Sequence, residues 1–134
     1  MTAHQSLLPP GWKRPRGYAN GIAASGRMVF TAGVVGWDAE ERFAAPDLAG
    51  QFRQVLLNTL AILAEGGASP EHIVRMTWYI TSRDDYLAQI AEIGAAYRDL
   101  IGRTYPAMAV VEVAALVEAA AKIEIETIAI VPTA

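Results

Sequence analysis

YPAMAVVEV, residues 105–113, follows a Tyr-Pro entry with small and branched apolar residues and carries one carboxylate, Glu112. Side chains of a strand alternate between two faces. Met108, Val110 and Glu112 therefore share one face, and Ala107, Ala109, Val111 and Val113 the other. AKIEIETIAIV (121–131) alternates in the same way, with Lys122, Glu124 and Glu126 opposed to Ile123 and Ile125. Met108, Val110, Ile128 and Ile130 are expected on corresponding faces of these two late strands. A face that mixes Met, Val and Ile with carboxylates is too apolar to be freely exposed. It suits an inter-subunit surface with a polar pocket let into it. A plain solvated face is the alternative that the pattern leaves open.

The rest of the chain supplies the other layer. ANGIAAS (19–25) and RMVFTAGVV (27–35) read as two strands joined in a hairpin around Ser25-Gly26. GWDAEERFAAP (36–46) reads as a polar loop. From Asp47 onward Leu48, Phe52, Val55, Leu56, Leu60 and Leu63 recur at helical spacing, and Gly66-Gly67 supplies the stop. Ser69-Pro70-Glu71 marks a short turn with Ser69 as N-cap and Pro70 at the first position. IVRMTWYIT (73–81) is the third strand. A second helix is predicted from about Arg83 to Ile101, with Tyr86, Ile90, Ile93 and Tyr97 on one side. The order β-β-α-β-α-β-β, with two helices and about five strands, predicts a two-layer α+β sandwich. Its helices cover one face of the sheet, so the other must meet water or another chain. Residues 1–17, rich in Pro and Gly and carrying KRPRG, read as an irregular leader before a single domain over 18–134.

Composition narrows the function classes. The 134 residues fit one domain, and 53% of them are apolar, enough for a sizeable core. Charged residues, at 19%, fall below the usual share, which hints at surface covered by another subunit. A net charge of −3 gives no electrostatic footprint for nucleic acid. The absence of cysteine excludes disulfides, thiolate chemistry and zinc-thiolate sites. The first residues do not read as a signal peptide, and no apolar run reads as a membrane span. A cytoplasmic protein without membrane or nucleic-acid partners is the expectation. His4 and His72 stand far apart in the sequence without a ligand cluster, so no metal is expected. Trp78 fits a strand core, whereas Trp12 and Trp37 sit in expected loops and could wall a cleft.

Several segments together are similar to those of the Rid family, also called the YjgF or L-PSP endoribonuclease-like family: GYANG, GRMVFTAG, QFRQVLLNTLAILAEGGAS, IVRMTWYIT, DDY, YPAMAVVEV and KIEIETIAIV. The resemblance runs from Tyr18 to Val131. It implies a chorismate-mutase-like fold of the bacillus type, assembled as a homotrimer. It also implies clefts between subunits in which 2-imino or enamine acids are hydrolysed to keto acids and ammonia, without a cofactor. Tyr18 matches the family tyrosine that lines the cleft, Gly33 a glycine whose backbone approaches the ligand, and Glu124 the carboxylate that positions or activates water. Such chemistry needs little more, because a protonated imine is already electrophilic and an oriented water with a proton acceptor can suffice. Glu124 and Tyr18 are thus the expected catalytic residues. An interfacial salt bridge is the plainer role open to Glu124.

Ala32, Gly33, Met108, Ala109 and Val110 are the expected substrate-binding positions, and here the chain departs from the family. Well-studied members read Pro-Ala-Arg, the arginine holding the substrate carboxylate; this chain reads Pro-Ala-Met. Ala32 replaces the usual serine, Val110 a cysteine or threonine, and the family asparagine of the second helix falls near Ala91. A hydrogen bond to a charged group contributes roughly 1.5–3 kcal/mol, so losing the arginine should weaken a small imino acid about a hundredfold or more. Met108 makes a soft, polarizable wall suited to an irregular apolar or aromatic ligand. Lys13, Arg14 and Arg16 lie just before Tyr18 and could supply an anion contact, or form a solvated leader. Glu112 is expected to serve the subunit interface. Three functions compete: a deaminase for larger imines or enamines, such as intermediates of nitrogenous aromatic breakdown; a trimeric ligand-binding or regulatory protein without catalysis; and a ribonuclease. The last is disfavoured by the acidic balance and the lack of a basic stripe with interleaved aromatics.

Overall fold

In the computed structural model, which describes residues 3–133, seven strands and three helices follow one another. The strands are β1 (Gln5–Ser6), β2 (Ile22–Ala23), β3 (Arg27–Phe30), β4 (Val34–Val35), β5 (Ile73–Ile80), β6 (Ala107–Glu112) and β7 (Ile123–Val131). The helices are α1 (Leu48–Glu65), α2 (Arg83–Ala88) and α3 (Ile90–Leu100), with a 3-10 turn at Pro70–His72. β7 is the spine of the main sheet: β3 and β4 pair antiparallel along one side of it and β5 along the other. β6 lies parallel to β5 at the far edge. A parallel pair needs a long crossover, and α2 with α3 provides it.

One face of the sheet is the core. Ile123, Ile125, Thr127 and Ala129 of β7 and Met76, Trp78 and Ile80 of β5 are buried there under Phe52, Val55, Leu56 and Leu63 of α1. Each large side chain buried this fully contributes roughly 1.5–3 kcal/mol. The periodicity of α1 and its glycine stop are as expected, and Gly66 and Gly67 end the helix, the latter at φ 75°. The opposite face is uncovered by any described residue's helix. Met28 and Phe30 stand 61% and 60% exposed on it, beside Ile130 and Ile128.

Four expectations need correction. Met108 and Val110 do share a face, but it is the core face: they pair with Met76 and Trp78, while Ile128 and Ile130 point to the open side. The parallel pairing with β5 fixes this, because paired residues in neighbouring strands point the same way. The early hairpin does not form: β2 pairs with β1 instead of β3, so the leader contains a strand. Met1 and Thr2 of that leader, and Ala134 of the expected domain, lie outside the described residues. The long second strand is broken at Thr31–Gly33. Phe30 pairs with Ile128 and Val34 with Ile125, so three residues face two and the strand bulges. The Thr31 hydroxyl accepts the Thr127 N–H (3.1 Å) across the gap. The second helix breaks at Gln89, whose side-chain oxygen accepts the Ala49 N–H at 2.8 Å. That satisfies an orphan donor in the first turn of α1, where Asp47 makes no side-chain cap.

The Glu112 carboxylate accepts the Arg83 N–H at 2.6 Å, at the start of α2, so it ties that helix to the end of β6. Among the described residues no helix is long and apolar enough to cross a membrane.

Candidate functional site

A cleft of about 560 Å³ opens on the core side of the sheet, between β6 and α3. Tyr18, Met108 and Val110 line it, together with Trp78, Tyr97 and Tyr105. The chain places Tyr18 there through its neighbour: the Ala19 N–H donates to the Pro106 carbonyl at 2.9 Å, and Ala19 bridges to Ala107. The aromatic wall is fixed from within. Tyr97 donates its hydroxyl to the Thr104 carbonyl at 2.7 Å and stacks on Tyr105 with ring centroids 5.2 Å apart. Trp78 packs between Phe52 and Tyr97, and its buried Nε1–H has no acceptor among the described residues. Burial pushes the phenols of Tyr86 and Tyr97 up, so both stay neutral and can act as donors but not as bases. Met108 and Val110 contribute apolar surface to this cleft.

The second group lies on the open face. Glu124 pairs across β7 with Val35 on one side and Tyr79 on the other. The bulge brings Gly33 against it, so closely that a Cβ at position 33 would collide with the carboxylate. Two registers further along the face, Glu126 accepts the Tyr79 hydroxyl at 2.8 Å, and this bond raises the Tyr79 pKa. The Glu126 carboxylate is thus engaged, whereas that of Glu124 accepts no hydrogen bond among the described residues. A half-exposed carboxylate in that state can orient a water and take a proton. Ala32 and Gly33 form the rim of a depression of about 510 Å³ that Trp37 also lines.

The expected residues thus form two groups rather than one site. Tyr18, Met108 and Val110 gather at the β6 edge on the core side. Gly33 and Glu124 meet where β4 joins β7, Ala32 and Gly33 also rim the depression against α1, and Ala109 lies beside Thr77 on the open face, opposite the side chains of its neighbours Met108 and Val110. Of the basic leader, Arg16 lines the cleft, and Arg14 lines an adjoining groove. Trp12 is 62% exposed and lines neither cavity. His4 and His72 meet, the His4 ring lying 3.1 Å from the His72 carbonyl, while His72 Nδ1 accepts the Ser69 N–H. Among the described residues no three His, Asp or Glu side chains converge as metal ligands. Tyr79 went unread as a site residue, although strand alternation alone places it on the face of Thr77. Tyr105 and Arg98 also escaped notice, because only the tertiary approach of α3 to β6 brings them to Met108.

The profile of the family described as Endoribonuclease L-PSP matches residues 13–131. TdcF of Escherichia coli K12, provisionally named a reactive intermediate deaminase, is 35% identical over 84% of this chain and 85% of its own. A RutC family protein of Synechocystis is 33% identical over 87% of each. Among solved structures, the Rid-family protein YyfB from Yersinia pestis superposes with a TM-score of 0.82 at 31% identity, covering 96% of this chain and 99% of its own. Escherichia coli TdcF with bound serine superposes with a TM-score of 0.67 at 30% identity, covering 97% and 94%.

Proposed function

The chain belongs to the endoribonuclease L-PSP family, the Rid proteins, and from that premise we propose that it is a cytoplasmic imine or enamine deaminase. It hydrolyses the C=N bond of a substrate other than a small 2-imino acid and releases ammonia. Intermediates of nitrogenous aromatic breakdown are the class to screen. The observation that carries this reading is the unengaged carboxylate of Glu124 against the Gly33 backbone, beside a Glu126 already held by Tyr79. In the proposed mechanism Glu124 takes a proton from water as the oxygen attacks the imine carbon, and the nitrogen leaves as ammonia after protonation. Tyr18, Met108 and Val110 hold the body of the substrate.

One group lies at the β6 edge and the other where β4 meets β7 on the far side of β5, so a complete site is proposed between protomers, the β6 edge of one against the β4 side of the next. A contact of that kind is heterologous, and three copies can close it into a ring. The exposed Met28 and Phe30 on the open face support burial in such a homotrimer.

The test is Glu124→Gln, measured by coupled detection of ammonia on a panel of enamines, with Glu126→Gln as control. Glutamine keeps the shape but cannot take the proton. Loss of turnover in the first variant alone, with light scattering reporting a trimer for both, is the expected result. Full activity of Glu124→Gln would remove the proposed role. A second reading, a trimeric ligand-binding protein without catalysis, draws on Met108 in the cleft; binding of an enamine that no preparation hydrolyses would establish it.

A further inference from the structure

The cleft beside β6 carries cations that no carboxylate answers. Arg98, in the last turn of α3, lines it, and so does Arg16 from the leader. The ion pairs among the described residues involve Arg42, Arg53 and His72, and neither Arg16 nor Arg98. The adjoining groove shares Arg16 and Tyr18 with the cleft and adds Arg14 and Arg103, against one acidic side chain, Glu71. This is a positive rim on a chain of net charge −3. Such a rim concentrates anions at the cleft mouth.

Gly94 explains how Arg98 comes to lie there. It sits one turn before Arg98 in the middle of α3, and a Cβ at 94 would stand 3.2 Å from Arg98 Nη1. The guanidinium therefore lies back along the helix surface, over the spot where any other residue would put a side chain. Glycine within a helix is disfavoured relative to alanine, which makes the bare surface at 94 a departure from what α3 alone would favour. Below the guanidinium the cleft is apolar, walled by Ile90, Ile93, Met108 and Val110.

We propose that Arg98 is the anion-binding residue of this cleft, in place of any group at position 108, and that its ligand is an organic acid with an aromatic or branched apolar body. The carboxylate lies at the rim on Arg98, with Arg16 beside it, and the body lies between α3 and β6. As a statement about substrate, this rests on the deaminase reading: the imine acids turned over are those whose acid group reaches α3. As a statement about binding, it stands without turnover.

Calorimetric titration with phenylacetate and its uncharged amide, phenylacetamide, tests it. Wild type should bind the acid at least tenfold more tightly than the amide, and added salt should erode that preference. Arg98→Gln should bring the acid to the level of the amide and leave the amide unchanged, while Arg98→Lys recovers part of the preference. Circular dichroism and light scattering confirm that each variant keeps its fold and assembly. Equal binding of acid and amide by wild type, undiminished acid binding by Arg98→Gln, or no binding of either probe overturns the proposal. Arg98-dependent binding in a protein that hydrolyses no enamine would sink the deaminase reading and leave the anchor standing. Enamine acids hydrolysed with equal efficiency by Arg98→Gln would do the reverse.

Discussion

Gly33 lies against the Glu124 carboxylate so closely that a Cβ at 33 would collide with Oε2. The bulge at Thr31–Gly33 produces this approach, because the extra residue re-aims the strand just before it rejoins β7 at Val34. Gly33 has no positive φ, so the requirement for glycine is one of space alone.

Gly33→Ala should consequently separate stability from chemistry. The obstacle is the end of a flexible side chain, so the fold should lose no more than about 1 kcal/mol. The carboxylate, however, must swing away, and ammonia release should fall at least tenfold. Thermal unfolding beside an activity assay checks both; wild-type turnover in a folded Gly33→Ala protein would show that the position of the carboxylate is unimportant.

Met108→Arg should add activity. Wild type is expected to hydrolyse 2-iminopropanoate, generated in situ by an amino-acid oxidase, weakly or not at all. A guanidinium restored at 108 should raise that rate about tenfold or more through a hydrogen bond to the charged substrate. No gain in a stable variant would mean that small imino acids do not enter the cleft beside β6.

Gln51 is buried in α1 and serves three backbone groups. Its Nε2 donates to the carbonyls of Ala45 (3.2 Å) and Ala120 (2.9 Å), and its Oε1 accepts the Lys122 N–H at 2.8 Å. Gln51→Leu fits the volume but strands those partners, and should cost about 2–4 kcal/mol in urea unfolding. A loss below half a kcal/mol would show that water replaces the side chain.

Tyrosine ionisation gives a pH signature. The Glu126 hydrogen bond raises Tyr79, burial raises Tyr86, and burial raises Tyr97 furthest. A phenol whose folded pKa exceeds its unfolded value contributes stability that is fully present below about pH 10 and is lost as pH climbs toward the folded value. Unfolding should thus become easier above pH 10, and ultraviolet titration should show phenols that ionise above the free tyrosine range until the fold opens. Glu126→Gln should move one phenol earlier. A single transition at the free tyrosine value in folded protein would contradict the assigned contacts.

The sequence made the layers legible because α1, β5 and β7 carry strong periodic patterns, from Phe52 and Val55 to Ile123 and Ile125. It misassigned what depends on pairing partners. Alternation grouped Met108 with Val110 correctly, but only the parallel register with Met76 and Trp78 decides that this face meets the helices. Ile22 paired with the leader rather than with β3, a choice between two short segments that carry little apolar signal. The bulge at Thr31–Gly33 left no composition cue beyond a glycine. Motif matching pointed to Glu124, Gly33 and Tyr18 as candidates; it did not point to Arg98, which comes to the cleft from a helix whose residues carry no motif.

Tyr18 lies by the β6 edge and Glu124 on β7 beside β4, and their separation has a genetic consequence. If each site draws one of these residues from either neighbour, two chains inactivated at different edges can repair each other when they assemble together. In random mixed rings of Tyr18→Phe and Glu124→Gln chains, about a quarter of the junctions bring two intact edges together. Coexpression of the two dead variants should therefore restore about a quarter of the turnover. The same arithmetic makes neither variant dominant over wild type, since each defective chain silences one junction and its other edge still serves a healthy neighbour.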